Sequence, residues 1–124
     1  MAIAKLNDKE IKELQHELKI YISKYFKRIL GRGVDYTKIN VFEDMLVIRG
    51  EGYLTEPEKF IVQTPNGAET IRASRTKVVN QHIEDNTPFI EERVRARAIH
   101  HSFCIEPENN FWMHCIVFDH PLTE

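Results

Sequence analysis

The sequence is short of most features that would announce a compartment or a chemistry. No apolar run approaches the roughly 20 residues a membrane-spanning helix needs, so no segment is expected to cross a bilayer. The N-terminal MAIAKLNDKE has neither an apolar centre nor a cleavage pattern, which argues against a secretory leader. Charge of one sign is missing too. The formal net charge is −2, too small for a field that would draw nucleic acid or anionic lipid. These absences point to the cytoplasm, where the two cysteines, Cys104 and Cys115, are expected as free thiols rather than a bridge. There is no internal repeat, no low-complexity segment and no domain boundary. Nor is there a catalytic or cofactor-binding signature: Gly31-Arg32-Gly33 has neither the length nor the lysine of a phosphate loop. A non-enzymatic protein without a cofactor is expected.

What is present describes one folded unit. A chain of 124 residues, 42% hydrophobic and 29% charged, suits a single soluble domain over residues 1–124 with a real core. Residues 7–30 read as an amphipathic helix, with Ile11, Leu14, Leu18, Tyr21, Ile22, Tyr25, Phe26 and Ile29 on one side. Asn7 and Glu10 have capping-box spacing, and Gly31 can end the helix in the left-handed conformation, with positive φ. Residues 31–58 organise the rest. They hold a helix stop, two β-type runs at 36–42 and 45–49 joined at Glu43-Asp44, glycines 50 and 52 suited to a bulge or a close backbone approach, and a second capping box at Thr55 and Glu58. A short helix to Val62 follows. A long one over residues 68–85 comes next, with Ile71, Val78, Val79, His82 and Ile83 inward, and Thr87-Pro88 should break or kink it before a last helical piece at 88–97. Residues 99–105 and 111–118 form a closing hairpin across a turn-rich link at 106–110. The fold class is α+β in the order α-β-β-α-α-β-β, a four-stranded antiparallel sheet with helices on one face.

The last strand, FWMHCIVF, is apolar at both parities, whereas a half-buried strand should alternate. Both of its faces want cover, and one subunit has helices for only one. A two-fold homodimer is the simplest answer; a central strand covered by the C-terminal tail is the alternative. Trp112, His114, Ile116 and Phe118 share one face and are the candidate interface. Phe111, Met113, Cys115 and Val117 share the other.

Three clusters carry residue types suited to chemistry. His100, His101, Cys104, His114 and Cys115 are zinc-type ligands, but no Cys-x-x-Cys or His-x-x-x-His spacing is present. If Ile105 faces Phe111, His101 faces Cys115 while His100 and His114 point to the opposite face, so one tetrahedral site cannot be filled and no metal is expected. Cys115 with His101 has the makings of a nucleophile pair, yet Cys115 in an apolar strand reads better as a buried, inert thiol. Arg72, Arg75, Lys77, Arg93, Arg95 and Arg97 form a basic region suited to phosphate or carboxylate. Glu84, Asp85, Glu91 and Glu92 balance it, and no aromatics are interleaved for nucleic acid, so a solvated face outweighs a binding site.

The order of elements resembles the MpsC family of small bacterial proteins. The resemblance is carried by Gly31-Arg32-Gly33, by Asp44-Met45-Leu46-Val47-Ile48-Arg49, by Gly52-Tyr53-Leu54-Thr55 with Glu58, and by Cys115-Ile116-Val117-Phe118, over residues 8–119. Val34 stands where the family pattern commonly has proline. The resemblance implies an accessory role in a cation-translocating, membrane-potential-generating system whose other components are membrane-associated. It also implies a cytoplasmic protein that reaches the membrane through partners. It supplies no catalytic or ligand-binding residues. A small-molecule-binding or sensing domain, using the groove between sheet and helices, is the competing expectation.

Overall fold

The computed structural model describes residues 5–124, so the first four residues of the stretch read against a secretory leader lie outside the described residues. The elements are α1 (Asp8–Leu30), β1 (Tyr36–Phe42), β2 (Met45–Glu51), α2 (Glu56–Val62), α3 (Gly67–Val94), β3 (Ala98–Glu106), a single 3-10 turn (Pro107–Asn109) and β4 (Phe111–Phe118). The expected α-β-β-α-α-β-β order holds. The two hairpins join through β2 and β4 into an antiparallel sheet of strand order β1-β2-β4-β3.

Local chemistry accounts for most boundaries. Asn7 Oδ1 accepts from the Glu10 amide at 2.9 Å while Glu10 Oε1 accepts from the Asn7 amide at 3.1 Å, which satisfies two donors at the start of α1. Gly31 ends the helix with φ 72°, as its left-handed role requires. Arg32 then reaches across the chain. Its Nη1 donates to the Gly52 carbonyl at 2.6 Å and its Nη2 pairs with Asp35 at 3.1 Å, tying the exit of α1 to the end of β2. Gly50 marks a close approach, because a Cβ there would overlap the Trp112 indole Nε1.

The long helix departs from expectation. α3 runs unbroken from Gly67 to Val94, with Pro88 inside it. Pro88 and Glu84, whose carbonyl loses its partner to the missing N–H, are both exposed, so water satisfies the gap and the helix need not end there. Arg75 departs as well. It is buried rather than solvated, with Nε 2.9 Å from Glu58 Oε2 and Nη2 3.1 Å from the Tyr53 carbonyl. Burial alone would raise the Glu58 carboxyl, but hydrogen bonds from Arg75 and Thr55 outweigh it and hold the group below its ordinary value.

The core lies between the sheet and α1 and α3. Leu18, Ile22 and Phe26 from α1 and Val79 and Ile90 from α3 meet Leu46, Ile48, Ile116 and Phe118 from the central strands. The C-terminal tail adds to this side. Leu122 is buried, its amide bonded to the Glu43 carbonyl and its carbonyl to the Leu6 amide, both at 2.8 Å.

Candidate functional site

The register of the second hairpin decides what the histidines and cysteines can do. It is one residue away from the expected one. The link is taken up by Pro107–Asn109 and a left-handed Asn110, so Glu106 pairs with Phe111 and Ile105 with Trp112. The same register runs on without interruption, so Ser102 comes opposite Cys115 and His101 opposite Ile116; a bulge between Ala98 and His100 lies beyond them. A one-residue shift exchanges faces. His101 therefore joins His114 on the inner face, and Cys115 lies outside. The His101–Cys115 nucleophile pair is not formed. Among the described residues both cysteines are free, and no group of three or more His, Cys, Asp or Glu converges to hold a metal.

The same parity corrects the candidate interface. Trp112, His114, Ile116 and Phe118 are 5%, 0%, 0% and 1% exposed, because this face of β4 is the one beneath the helices. Phe111, Met113, Cys115 and Val117 are the half-exposed set.

On the inner face the register builds a chain of polar groups through the core. Asn86 Nδ2 lies 2.8 Å from His82 Nδ1, and the two are one turn apart on α3. His82 Nε2 lies 3.1 Å from His114 Nδ1. His114 Nε2 lies 3.0 Å from His101 Nδ1. Asn86, His82 and His114 are buried; His101, on the edge strand, is partly exposed. Phe26 and Trp112 enclose the His82 ring at centroid distances of 5.2 and 5.9 Å. Burial pushes the His82 imidazole down to about 4, with His101 as a second cause. Burial, then His82 and His101, pushes His114 down to about 3. His101 is lowered by burial and by His100. All three rings are thus neutral near pH 7, and each donates from one nitrogen and accepts at the other. With the Asn86 amide oriented so that Nδ2 donates to His82, the matching tautomers carry each proton on Nε2 and the chain donates outward; with the amide turned, the same distances fit the opposite sense. His82 and His114 spend both nitrogens on neighbours, so they have no lone pair left for a metal.

Sequence reading placed His82 inward but missed the chain. His82 and Asn86 at i and i+4 were the available signal. The link to His114 depends on a hairpin register that no local motif encodes.

The outer face of the sheet carries the second feature. Across the four strands its rows read Phe42–Met45–Val117–His100, Asn40–Val47–Cys115–Ser102, Lys38–Arg49–Met113–Cys104 and Tyr36–Glu51–Phe111–Glu106. The central strands β2 and β4 supply a mostly apolar middle, and Phe42 at its edge is 61% exposed. Arg49 lies over the Tyr36 ring at 6.0 Å, and its buried Nε has no hydrogen-bond partner among the described residues. Between the sheet and the helices, by contrast, the crevice lined by Phe26, Leu30, Val34, Tyr53, Val79 and Trp112 has about 20 Å³ of free volume. That is room for about one water, not for a metabolite; a wider hollow of about 370 Å³, open to solvent, lies between α1 and β1 and is lined by Lys12, Gln15, His16, Lys19, Tyr36 and Lys38.

Comparison with known proteins agrees with the architecture. Residues 10–120 match the family model described as "Na+-translocating membrane potential-generating system (MpsC)". A Bacillus subtilis (strain 168) protein named "Uncharacterized protein YrhF" is 32% identical over 110 residues, covering 88% of this chain and 90% of that one. A second from the same organism, "Uncharacterized protein YbcI", is 28% identical over 71 residues, or 57% of each chain. No solved structure matches this chain.

Proposed function

The chain belongs to the MpsC family, and on that premise we propose that it is a small, non-enzymatic accessory protein of a cation-translocating, membrane-potential-generating system. It works as a homodimer in the cytoplasm and meets the membrane through partner proteins. No helix among the described residues is long and apolar enough to cross a bilayer, which favours coupling through contacts rather than insertion. The observation that carries the reading is the uncovered outer sheet face. Four strands about 4.8 Å apart and about seven residues long project on the order of 450 Å² in all, of which the apolar part is the middle formed by Met45, Val47, Met113, Cys115 and Val117 with Phe42 at its edge. Contiguous apolar surface of a few hundred Å² or more marks an interaction site. A second copy of this chain is the occupant that fits. The face carries both signs of charge, with Lys38 and Arg49 beside Glu51, so a two-fold copy can set opposite charges against each other across it.

Sedimentation velocity over a wide concentration range, with Val117→Asp and Ile116→Asp side by side, tests this. The wild type is expected as a dimer, Val117→Asp as a folded monomer, and Ile116→Asp as unfolded protein. A wild type that stays monomeric at high concentration overturns the dimer. Co-purification from the native host tests the accessory role separately: an intact dimer that brings down no membrane component counts against it.

A further inference from the structure

The edge of the sheet beside α1 holds donors that the fold itself leaves unused. β1 is an outer strand of the sheet. In an antiparallel pair, alternate residues turn their backbone groups away from the partner strand. Val41 does so, and its amide donates to Gln15 Oε1 on α1 at 2.8 Å. Ile39 and Thr37, two and four residues earlier in an uninterrupted register, point their amides out along the same edge. No strand follows there, and neither amide bonds to a protein group among the described residues. The Thr37 side chain is in the same position. The residue is 8% exposed, and its hydroxyl bonds to no protein group among the described residues. A buried polar side chain in that condition is uncommon in a folded protein.

Thr37 and Ile39 line the floor of the hollow of about 370 Å³ between α1 and β1. The walls of that hollow are cationic. Lys12, Gln15 and Lys19 share one face of α1 at i, i+3 and i+7, with His16 beside them, and Lys38 stands on the β1 side. None of the three lysines makes an ion pair among the described residues. The acids on the intervening turns of α1 have other partners: Glu13 pairs with Lys9 at 4.0 Å, and Glu17 with Arg93 of α3 at 2.8 Å. The whole chain carries a net charge of −2, so this positive charge is a local feature rather than a general one. Like charges gathered around a concave site raise the local concentration of anions.

We propose that the hollow between α1 and β1 binds a phosphate group carrying two or more negative charges, with the Thr37 hydroxyl and the Ile39 amide donating to its oxygens and Lys12, Lys19 and Lys38 neutralising it. A terminal phosphate suits this arrangement because it offers three strong acceptor oxygens and nearly two charges at neutral pH. Lysines serve such a group as mobile point charges, while the recessed backbone and hydroxyl donors fix its position. Tyr36 stands at the mouth, 43% exposed, and the Arg49 guanidinium over its ring at 6.0 Å adds one more cation near the rim. A soluble phosphorylated molecule and an anionic lipid headgroup both carry this chemistry. The site does not rest on the role proposed above. It opens along the β1 edge, away from the apolar middle of the outer face.

Inorganic pyrophosphate is the probe, titrated into the ¹⁵N-labelled protein and followed by NMR. The expected result is saturable binding at low salt, with the Thr37 and Ile39 amides among those that move most and with affinity falling as salt is added. Lys12→Gln with Lys19→Gln should weaken binding by about tenfold or more, and Thr37→Val, which keeps the shape of the side chain, by several-fold. Lys24→Gln with Lys27→Gln removes the same charge from α1 outside the hollow and should leave the affinity unchanged. All four lysines are exposed, so neither pair threatens the fold. Flotation with phosphatidylglycerol or phosphatidylcholine vesicles then separates the two sources. Capture by the anionic vesicles alone, lost in the Lys12→Gln/Lys19→Gln protein, assigns a headgroup; pyrophosphate binding without capture assigns a soluble phosphate. Pyrophosphate that never saturates, or that both lysine pairs weaken equally, overturns the site. Either outcome leaves the sedimentation test of the dimer as it stands.

Discussion

Acid should unfold this protein earlier than its carboxylates alone would, and the buried rings set the slope. His82 and His114 are pushed down to about 4 and about 3 in the folded state. In the unfolded chain both return to about 6.5. Between these values the unfolded state binds protons that the folded state refuses, so stability falls as pH falls. The contribution is fully present above the unfolded value and is lost on the way down to the folded ones. Each ring is worth about 1.4 kcal/mol per pH unit once fully linked, so the pair costs about 4 kcal/mol between about pH 6 and 4.5. Both rings are fully buried, so solvent screening does not discount the figure. Against a typical total of about 5–15 kcal/mol this is enough to move the transition. Urea melts of the wild type and of the double variant His82→Leu/His114→Leu, repeated at each pH, measure it. The variant loses hydrogen bonds to Asn86 and His101 and is expected to be less stable at neutral pH. The informative quantity is the slope, which should drop by about two protons' worth. A variant that keeps the wild-type slope refutes the assignment of these rings as buried and neutral.

Three further substitutions test the supports of the fold. Gly50→Ala forces a methyl into the Trp112 indole and should cost roughly 1–3 kcal/mol, read by urea denaturation with a shift in tryptophan fluorescence. Arg75→Met leaves the Glu58 carboxylate buried without its partner and should cost about 3–5 kcal/mol, whereas Arg75→Met with Glu58→Gln should recover part of that loss. Gly31→Val places a β-branched residue at φ 72° and should lower stability by roughly 1 kcal/mol or more in thermal melts.

The fold was legible where local chemistry decides it. The capping boxes at Asn7 and Thr55, the stop at Gly31 and the alternation in β1 all give elements that the structure contains. Pro88 misled because its effect depends on whether the orphaned carbonyl faces water, which is a tertiary fact. Arg75 misled for a related reason: a basic run on a helix looks solvated until a carboxylate from another element is placed against it. The hairpin register was the costliest miss. It turned on how many residues the link between β3 and β4 absorbs, and it exchanged the two faces for His101. The expectation that β4 needs cover on both faces survives this. Only the assignment of the faces is reversed, with the helices on Trp112, His114, Ile116 and Phe118.

Stability alone does not explain why the inner face holds three histidines and an asparagine. Leucine or phenylalanine at 82 and 114, with apolar residues at 86 and 101 as well so that no partner is stranded, would join a core that already contains Ile116, Phe118 and Leu18, without rings that must stay neutral to remain buried. Replacing a buried polar pair with apolar residues that fit is commonly neutral or stabilising. The polar chain even adds the acid sensitivity worked out above. Nor is it a leftover of an exposed surface, since His82 and His114 are fully buried. What it has that an apolar core lacks is a line of directed hydrogen bonds that ties α3 to β4 and β4 to β3 in one register, which leucine and phenylalanine cannot supply.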